Sequence, residues 1–257
     1  MNDTTTIEKL TAELAAKQAV VDALMAGYLN FEFPVVDGLS FDILYRPAAD
    51  IEQLGGDWYD IFRLTDGRTA FSLGDVCGRG IGAAVKMAQA KQAIKVAASL
   101  PGNDPQPIPV LDQANKVIFL NNHHVEFTTA VYGLIDMARH SVVYGSAGHH
   151  PPILAQIGKE PRIMPNHGFA LGVEENMPDL IREHAFTFTS GMLLVLYTDG
   201  LIEFSHDTDE GEARLLRAAN DAVNARTAHP ARFIVESVLH EVERLPDDVA
   251  VLTIYFH

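Results

Sequence analysis

Four aspartates, Asp57, Asp75, Asp199 and Asp247, stand at the ends of strand-like runs spread across the chain. Asp57 closes Gly55-Gly56-Asp57 and opens a strand-like run over residues 58–64. Thr65-Asp66-Gly67-Arg68 has the composition of a tight turn. The return run, residues 69–73, leads into Gly74-Asp75-Val76. Counted from the turn, Asp57 and Asp75 face each other at the open end of a hairpin. Two bare carboxylates at that distance repel, and one pKa rises unless a cation lies between them. Either residue alone reads equally well as a solvated turn aspartate. With two more downstream, the pattern suits a pair of hard divalent cations held by carboxylates from distant segments.

Other chemistry-bearing residues are less persuasive. Cys77 is the only cysteine, which excludes an intrachain disulfide and a thiolate metal cage. It sits inside the acidic turn, where negative charge discourages a nucleophilic thiolate. Four of the eleven histidines form the pairs His123-His124 and His149-His150. Neighbouring side chains point different ways, so these pairs read as loop or surface histidines, with His149 set apart as a candidate acid. Asp207-Thr208-Asp209-Glu210-Gly211 starts like a calcium loop, but Ala218 stands where the bidentate glutamate belongs. Trp58 and Tyr59 are expected to pack in the core.

The elements that must position the aspartates follow from periodicity. Strands are expected at residues 41–45, 58–64, 69–73, 127–136, 141–144, 153–156, 182–189, 192–197 and 249–256. Helices are expected at residues 81–100, 110–121, 211–224 and 231–245, with a proline-rich loop at 101–109. Strands at both ends, helices between them and hairpin-length connections indicate antiparallel sheets flanked by helices, an α+β fold. Residues 1–30 differ from the rest. Ile7, Leu10, Leu14, Lys17, Val21, Leu24 and Tyr28 fall on a heptad seam. This segment reads as an amphipathic, coiled-coil-like helix, either packed on its own domain or forming a homodimer, ahead of one domain over residues 31–257. An upstream sensor domain or activator would act through it. The helix at 81–100 follows the Asp75 turn directly and is expected to be a regulatory lever.

The chain has 257 residues, 47% of them hydrophobic, enough for one large globular domain. Its formal charge is −15. That argues against nucleic acid or an anionic membrane surface as the main partner. The longest apolar run, Met192–Tyr197, is too short to span a bilayer. No apolar segment follows a basic start, so a cytoplasmic location is expected.

The motifs Gly55-Gly56-Asp57-Trp58-Tyr59-Asp60 and Gly74-Asp75-Val76-Cys77-Gly78-Arg79-Gly80 resemble those of the PPM-type, metal-dependent serine/threonine protein phosphatases, in their bacterial SpoIIE/RsbU-like branch. Phe127-Thr128-Thr129-Ala130, Ala147-Gly148-His149-His150-Pro151-Pro152, Leu171-Gly172-Val173, Tyr197-Thr198-Asp199-Gly200-Leu201-Ile202-Glu203 and Asp247-Asp248-Val249-Ala250-Val251 continue the resemblance in order. It implies an α-β-β-α sandwich of two antiparallel sheets with a metal site at one end. It implies two Mn²⁺ or Mg²⁺ held by Asp57, Asp75, the Val76 carbonyl, Asp199 and Asp247, with Asp75 as the bridge. A water shared by two such ions has a lowered pKa and can attack phosphorus directly, with no phosphoenzyme.

The implied substrate is a phosphorylated STAS-type anti-sigma factor antagonist in partner-switching signalling. The alternatives are a catalytically weak phosphatase-fold module that binds a phosphoprotein, and a small-molecule phosphohydrolase. Three positions depart from the family pattern. No base stands in Asp50–Leu54, where eukaryotic members carry a phosphate-contacting arginine; Arg46 and Arg79 are the nearest. His150 replaces an asparagine, and Ala250 replaces a threonine.

Overall fold

The computed structural model describes residues 32–48, 55–121, 127–204, 208–242 and 244–257. The heptad seam of residues 1–30, the base-free stretch before Gly55, and His123-His124 lie outside the described residues. The described chain runs β1 (Leu39–Arg46), β2 (Trp58–Arg63), β3 (Thr69–Val76), α1 (Ile81–Ser99), α2 (Pro107–Asn121), β4 (Thr128–Asp136), β5 (Ser141–Ala147), β6 (Ile153–Gln156), β7 (Lys159–Ile163), β8 (Glu183–Thr187), β9 (Met192–Tyr197), α3 (Thr208–Ala225), α4 (Pro230–Val238) and β10 (Val249–Phe256).

Two five-stranded antiparallel sheets result, ordered β1-β10-β9-β6-β7 and β2-β3-β4-β5-β8. Helices α1 and α2 pack on the second sheet; α3 and α4 pack on the first. This is the α-β-β-α sandwich expected from the sequence. Covered on both faces, the central strands read as continuous apolar runs rather than alternating ones: all of Met192–Tyr197 is buried, and all but one residue of β10. Across the sandwich, Phe188 stacks on Phe256 with centroids 4.3 Å apart. Trp58 is fully buried as expected, its indole N–H donating to Ser72 Oγ at 3.4 Å.

The differences from the expected elements have local causes. Strand β7 was not anticipated, because Lys-Glu-Pro-Arg-Ile is charged and carries a proline. Both features are tolerated on an edge strand, and β7 is one. Helix α2 starts three residues early, inside the proline-rich loop. The Asp104 carboxylate accepts the Gln106 N–H at 3.0 Å, and the prolines fall in the first turn, where missing N–H groups cost nothing. Strand β5 runs on through Gly145-Ser146-Ala147. A side chain at Gly145 would approach Pro107 Cβ to 3.0 Å, so this glycine serves packing and not a turn. Helix α4 stops at Val238 and not at residue 245. Val242 and Leu245 still join the apolar cluster from outside the helix, and Pro246 disfavours helix at Leu245.

Candidate active site

The hairpin β2–β3 pairs Trp58 with Gly74, which sets Asp57 and Asp75 side by side one residue further out. Strand β9 delivers Asp199 at the start of a 3-10 turn, and the loop into β10 delivers Asp247. All four therefore sit at one end of the two sheets. Asp75, Asp199 and Asp247 line an open cleft of about 560 Å³ together with Val76, Arg79 and His150. Asp57 lies beneath them, 2% exposed.

Glycines make this convergence possible. A Cβ at Gly56 would fall 2.3 Å from the Val76 carbonyl oxygen and 2.9 Å from Asp75 Oδ1. One at Gly74 would fall 2.2 Å from the Trp58 ring. One at Gly200 would fall 2.0 Å from the Asp248 carbonyl oxygen.

The electrostatics are those of crowded carboxylates. Burial, reinforced by Asp75, holds the Asp57 carboxyl well above the usual range, while a hydrogen bond from Thr198 opposes the rise. Burial and the charges of Asp199 and Asp247 push Asp75 up to about 7. Burial and Asp247 also raise Asp199. Added positive charge would stabilise groups so placed as anions. Carboxylates and a backbone carbonyl make an oxygen donor set, which fits Mg²⁺ or Mn²⁺.

Several supporting residues escaped the sequence reading. Thr198 Oγ1 donates to Asp57 Oδ2 at 2.7 Å and accepts the Ala250 N–H at 2.9 Å. It lies inside the Tyr197–Glu203 motif, where nothing local signals its contact with Asp57. Asp248, almost fully buried, accepts from the Tyr45 hydroxyl at 2.5 Å and from the Ala48 N–H at 2.7 Å. It holds the end of β1 against the loop that carries Asp247.

The histidine pair also needs correction. His149 is neither on the surface nor suited to be an acid: it is 2% exposed, and burial pushes its pKa down to about 3. Its Nε2 lies 3.1 Å from the Tyr197 carbonyl and its Nδ1 2.9 Å from Thr129 Oγ1. A neutral ring donating from Nε2 and accepting at Nδ1 satisfies both bonds, and so ties the two sheets together. His150 turns the other way, stacking on Tyr197 with centroids 5.8 Å apart. Its ring nitrogen lies within 4.8 Å of carboxylate oxygens of Asp199 and Glu203, adding a nitrogen donor beside the aspartates.

Two antiparallel five-stranded sheets with this cleft at one end define a PP2C-type fold. The SpoIIE phosphatase domain with a fragment of its regulatory domain, from Bacillus subtilis, shares that fold at TM-score 0.70 and 17% identity, covering 85% of this chain and 63% of that one. The chain belongs to the SpoIIE family, "Stage II sporulation protein E", whose family model matches residues 65–257. It is 26% identical over 199 residues to the phosphoserine phosphatase RsbU of Bacillus subtilis, covering 77% of this chain and 57% of RsbU. It is 25% identical over 230 residues to Protein IcfG of Synechocystis, covering 79% of this chain and 36% of IcfG. The chain thus spans well under two thirds of these curated relatives. The RsbU and RsbW domains of Rv1364c from Mycobacterium tuberculosis superpose with TM-score 0.75 at 28% identity, covering 89% of this chain and 64% of that one.

Proposed function

We propose that this chain is a divalent-metal-dependent phosphatase domain acting on phosphoserine or phosphothreonine in a protein, within partner-switching signalling. The observation that carries the reading is the convergence of Asp75, Asp199 and Asp247 with Val76 in one cleft, with Asp57 buried beneath them. The SpoIIE family membership and the likeness to a named phosphoserine phosphatase support the reaction class. The likeness to linked RsbU and RsbW domains supports the pathway class. The substrate proposed for it is a phosphorylated STAS-type protein.

The same five groups would hold two Mn²⁺ or Mg²⁺; such ions supply an activated water and neutralise charge on the phosphoryl oxygens. The chain's own residues prepare that site. Thr198 fixes the rotation of Asp57. His149 fixes Thr129, whose hydroxyl lies 3.5 Å from the Asp75 carbonyl oxygen, to strand β9. Cys77 faces the cleft as a bystander, its N–H donating to the Phe127 carbonyl at 3.0 Å.

The test is turnover of an aryl phosphate, free nucleotides and a phosphoserine STAS protein, each with Mn²⁺ and with chelator. Metal-dependent turnover that favours the phosphoprotein is expected. Undiminished turnover in chelator overturns the metal chemistry. A preference for nucleotides makes it a small-molecule hydrolase, and binding of the phosphoprotein without turnover makes it a sensor module.

A further inference from the structure

The cleft presents a charge problem that the aspartates do not solve. A phosphate monoester is dianionic near neutral pH, and it must approach four carboxylates on a chain of formal charge −15. Among the described residues lining the cleft, Arg79 is the one permanent cation. Arg46, the other basic residue near the motif, does not line it.

Arg79 follows the Asp75–Val76 turn and sits between Gly78 (φ 112°) and Gly80 (φ 79°), both in the left-handed region that favours glycine. A Cβ at Gly78 would meet nothing within 4 Å, so this glycine serves the turn and not close packing. The guanidinium is spent on the site's own carboxylate. Nη2 donates to Asp247 Oδ2 at 3.0 Å and to the Pro246 carbonyl at 2.9 Å. Both bonds run through one nitrogen. Nη1 and Nε have no partner among the described residues, and each shares an edge of the guanidinium with Nη2, so release of Asp247 frees a planar fork that matches phosphate oxygens. Both side chains of the pair are nearly half exposed, so exchange of partners costs little desolvation.

We propose that Arg79 is the phosphate-binding residue of this cleft, and that it exchanges Asp247 for the substrate's phosphoryl oxygens when a divalent cation takes that carboxylate. The inference rests on the hydrolase reading and names the residue that compensates for the missing upstream arginine. It also makes Arg79 a competitor of the metal for Asp247.

The experiment compares the wild-type chain with Arg79→Ala and Arg79→Lys, with folding checked by circular dichroism. Mn²⁺ binding is followed by electron paramagnetic resonance, phosphate binding to Mn²⁺-loaded protein by calorimetry, and KM and kcat with an aryl phosphate. For Arg79→Ala, KM and the phosphate dissociation constant should rise together by about tenfold or more, the scale of one lost charge-assisted hydrogen bond. Mn²⁺ should bind at least as tightly as to wild type, and Arg79→Lys should fall between. Unchanged phosphate binding overturns the proposal. So does weakened Mn²⁺ binding whose effect on KM vanishes at saturating metal, since Arg79 would then only brace the Pro246–Asp247 turn. If wild type turns over no phosphoester, the hydrolase reading fails, while the calorimetry still decides whether Arg79 binds phosphate.

Discussion

Asp75 shows how burial becomes a measurable property. Its pKa stands at about 7 against an ordinary 3.8, because burial and the charges of Asp199 and Asp247 disfavour the anion. Between those two values the folded, metal-free chain holds a proton that the unfolded chain releases. Stability from this group is therefore present at low pH and is lost as pH rises through about 7. Buried, neutral His149 acts in the opposite sense below its ordinary 6.5, so the clean readout is a difference between variants. In chelator, Asp75→Asn should be more stable than wild type by about 4 kcal/mol at around pH 8, a gap that closes only as pH falls below about 4. Urea melts at both values check this; a gap that widens on acidification would show that Asp75 is not held against its charge. His149→Gln should cost about 1–3 kcal/mol through the lost bridge between Thr129 and Tyr197. The pH–rate profile between about 6 and 8 should stay in place, because a group with its pKa near 3 does not titrate there. A displaced limb in that profile would return His149 to the reaction.

At the scale of elements, glycines act in opposite ways according to what surrounds them. Gly56 crosses the Asp75–Val76 turn so closely that a methyl group would strike the Val76 carbonyl oxygen at 2.3 Å. Gly56→Ala should move that carbonyl, destabilise the fold by about 1–3 kcal/mol, and abolish Mn²⁺ binding. Gly82 is a different case. It lies in the first turn of α1, with nothing within 4 Å of an added Cβ and no positive φ. Gly82→Ala should stabilise α1 by about 0.5–1 kcal/mol. Thermal melts and Mn²⁺ titrations on both variants check the pair. Equal effects would mean that the turn tolerates a side chain and that the glycine-flanked site needs another explanation. Helix α1 also bears on regulation. It starts at Gly80 with no side-chain cap, directly beyond the turn, and its buried stripe is mostly alanine: Ala83, Ala84, Ala88, Ala90, Ala97 and Ala98. Small side chains let a helix shift at low packing cost, which favours the expected role as a lever on the Val76 carbonyl. Hydrogen exchange in α1 that does not respond to divalent metal would count against it.

The sandwich is closed by its first and last described strands. Strand β10, last in sequence, is second in its sheet, pairing with β1 from Leu39↔Phe256 to Arg46↔Val249 on one side and with β9 on the other. A chain ending before Val249 should not fold, since β1 and the buried strand β9 would lose their partner and Asp247 its anchor. A cooperative melt from such a truncation would show that the second sheet carries the fold alone. The same closure makes the candidate site a readout of global folding, because Asp57 and Asp199 come from different sheets. No helix among the described residues is long and apolar enough to cross a membrane.

The fold and the four aspartates were legible because their signals are local. Hairpin β2–β3 is written in a turn and two flanking runs, and once its register is counted Asp57 and Asp75 must meet. The apolar runs of β9 and β10 read as buried strands; Asp199 follows the first by two residues and Asp247 precedes the second by two. What the sequence left open were contacts between distant segments: Thr198 with Asp57 across 141 positions, His149 with Tyr197 across 48, and Arg79 with Asp247 across 168. Each depends on how one sheet stacks on the other and where the loops then fall. A histidine beside a glycine has the same composition whether it faces water or pins two sheets. Only packing removed the water from His149 and left Arg79 its share, and that difference in solvent makes one a structural bridge and leaves the other able to exchange partners.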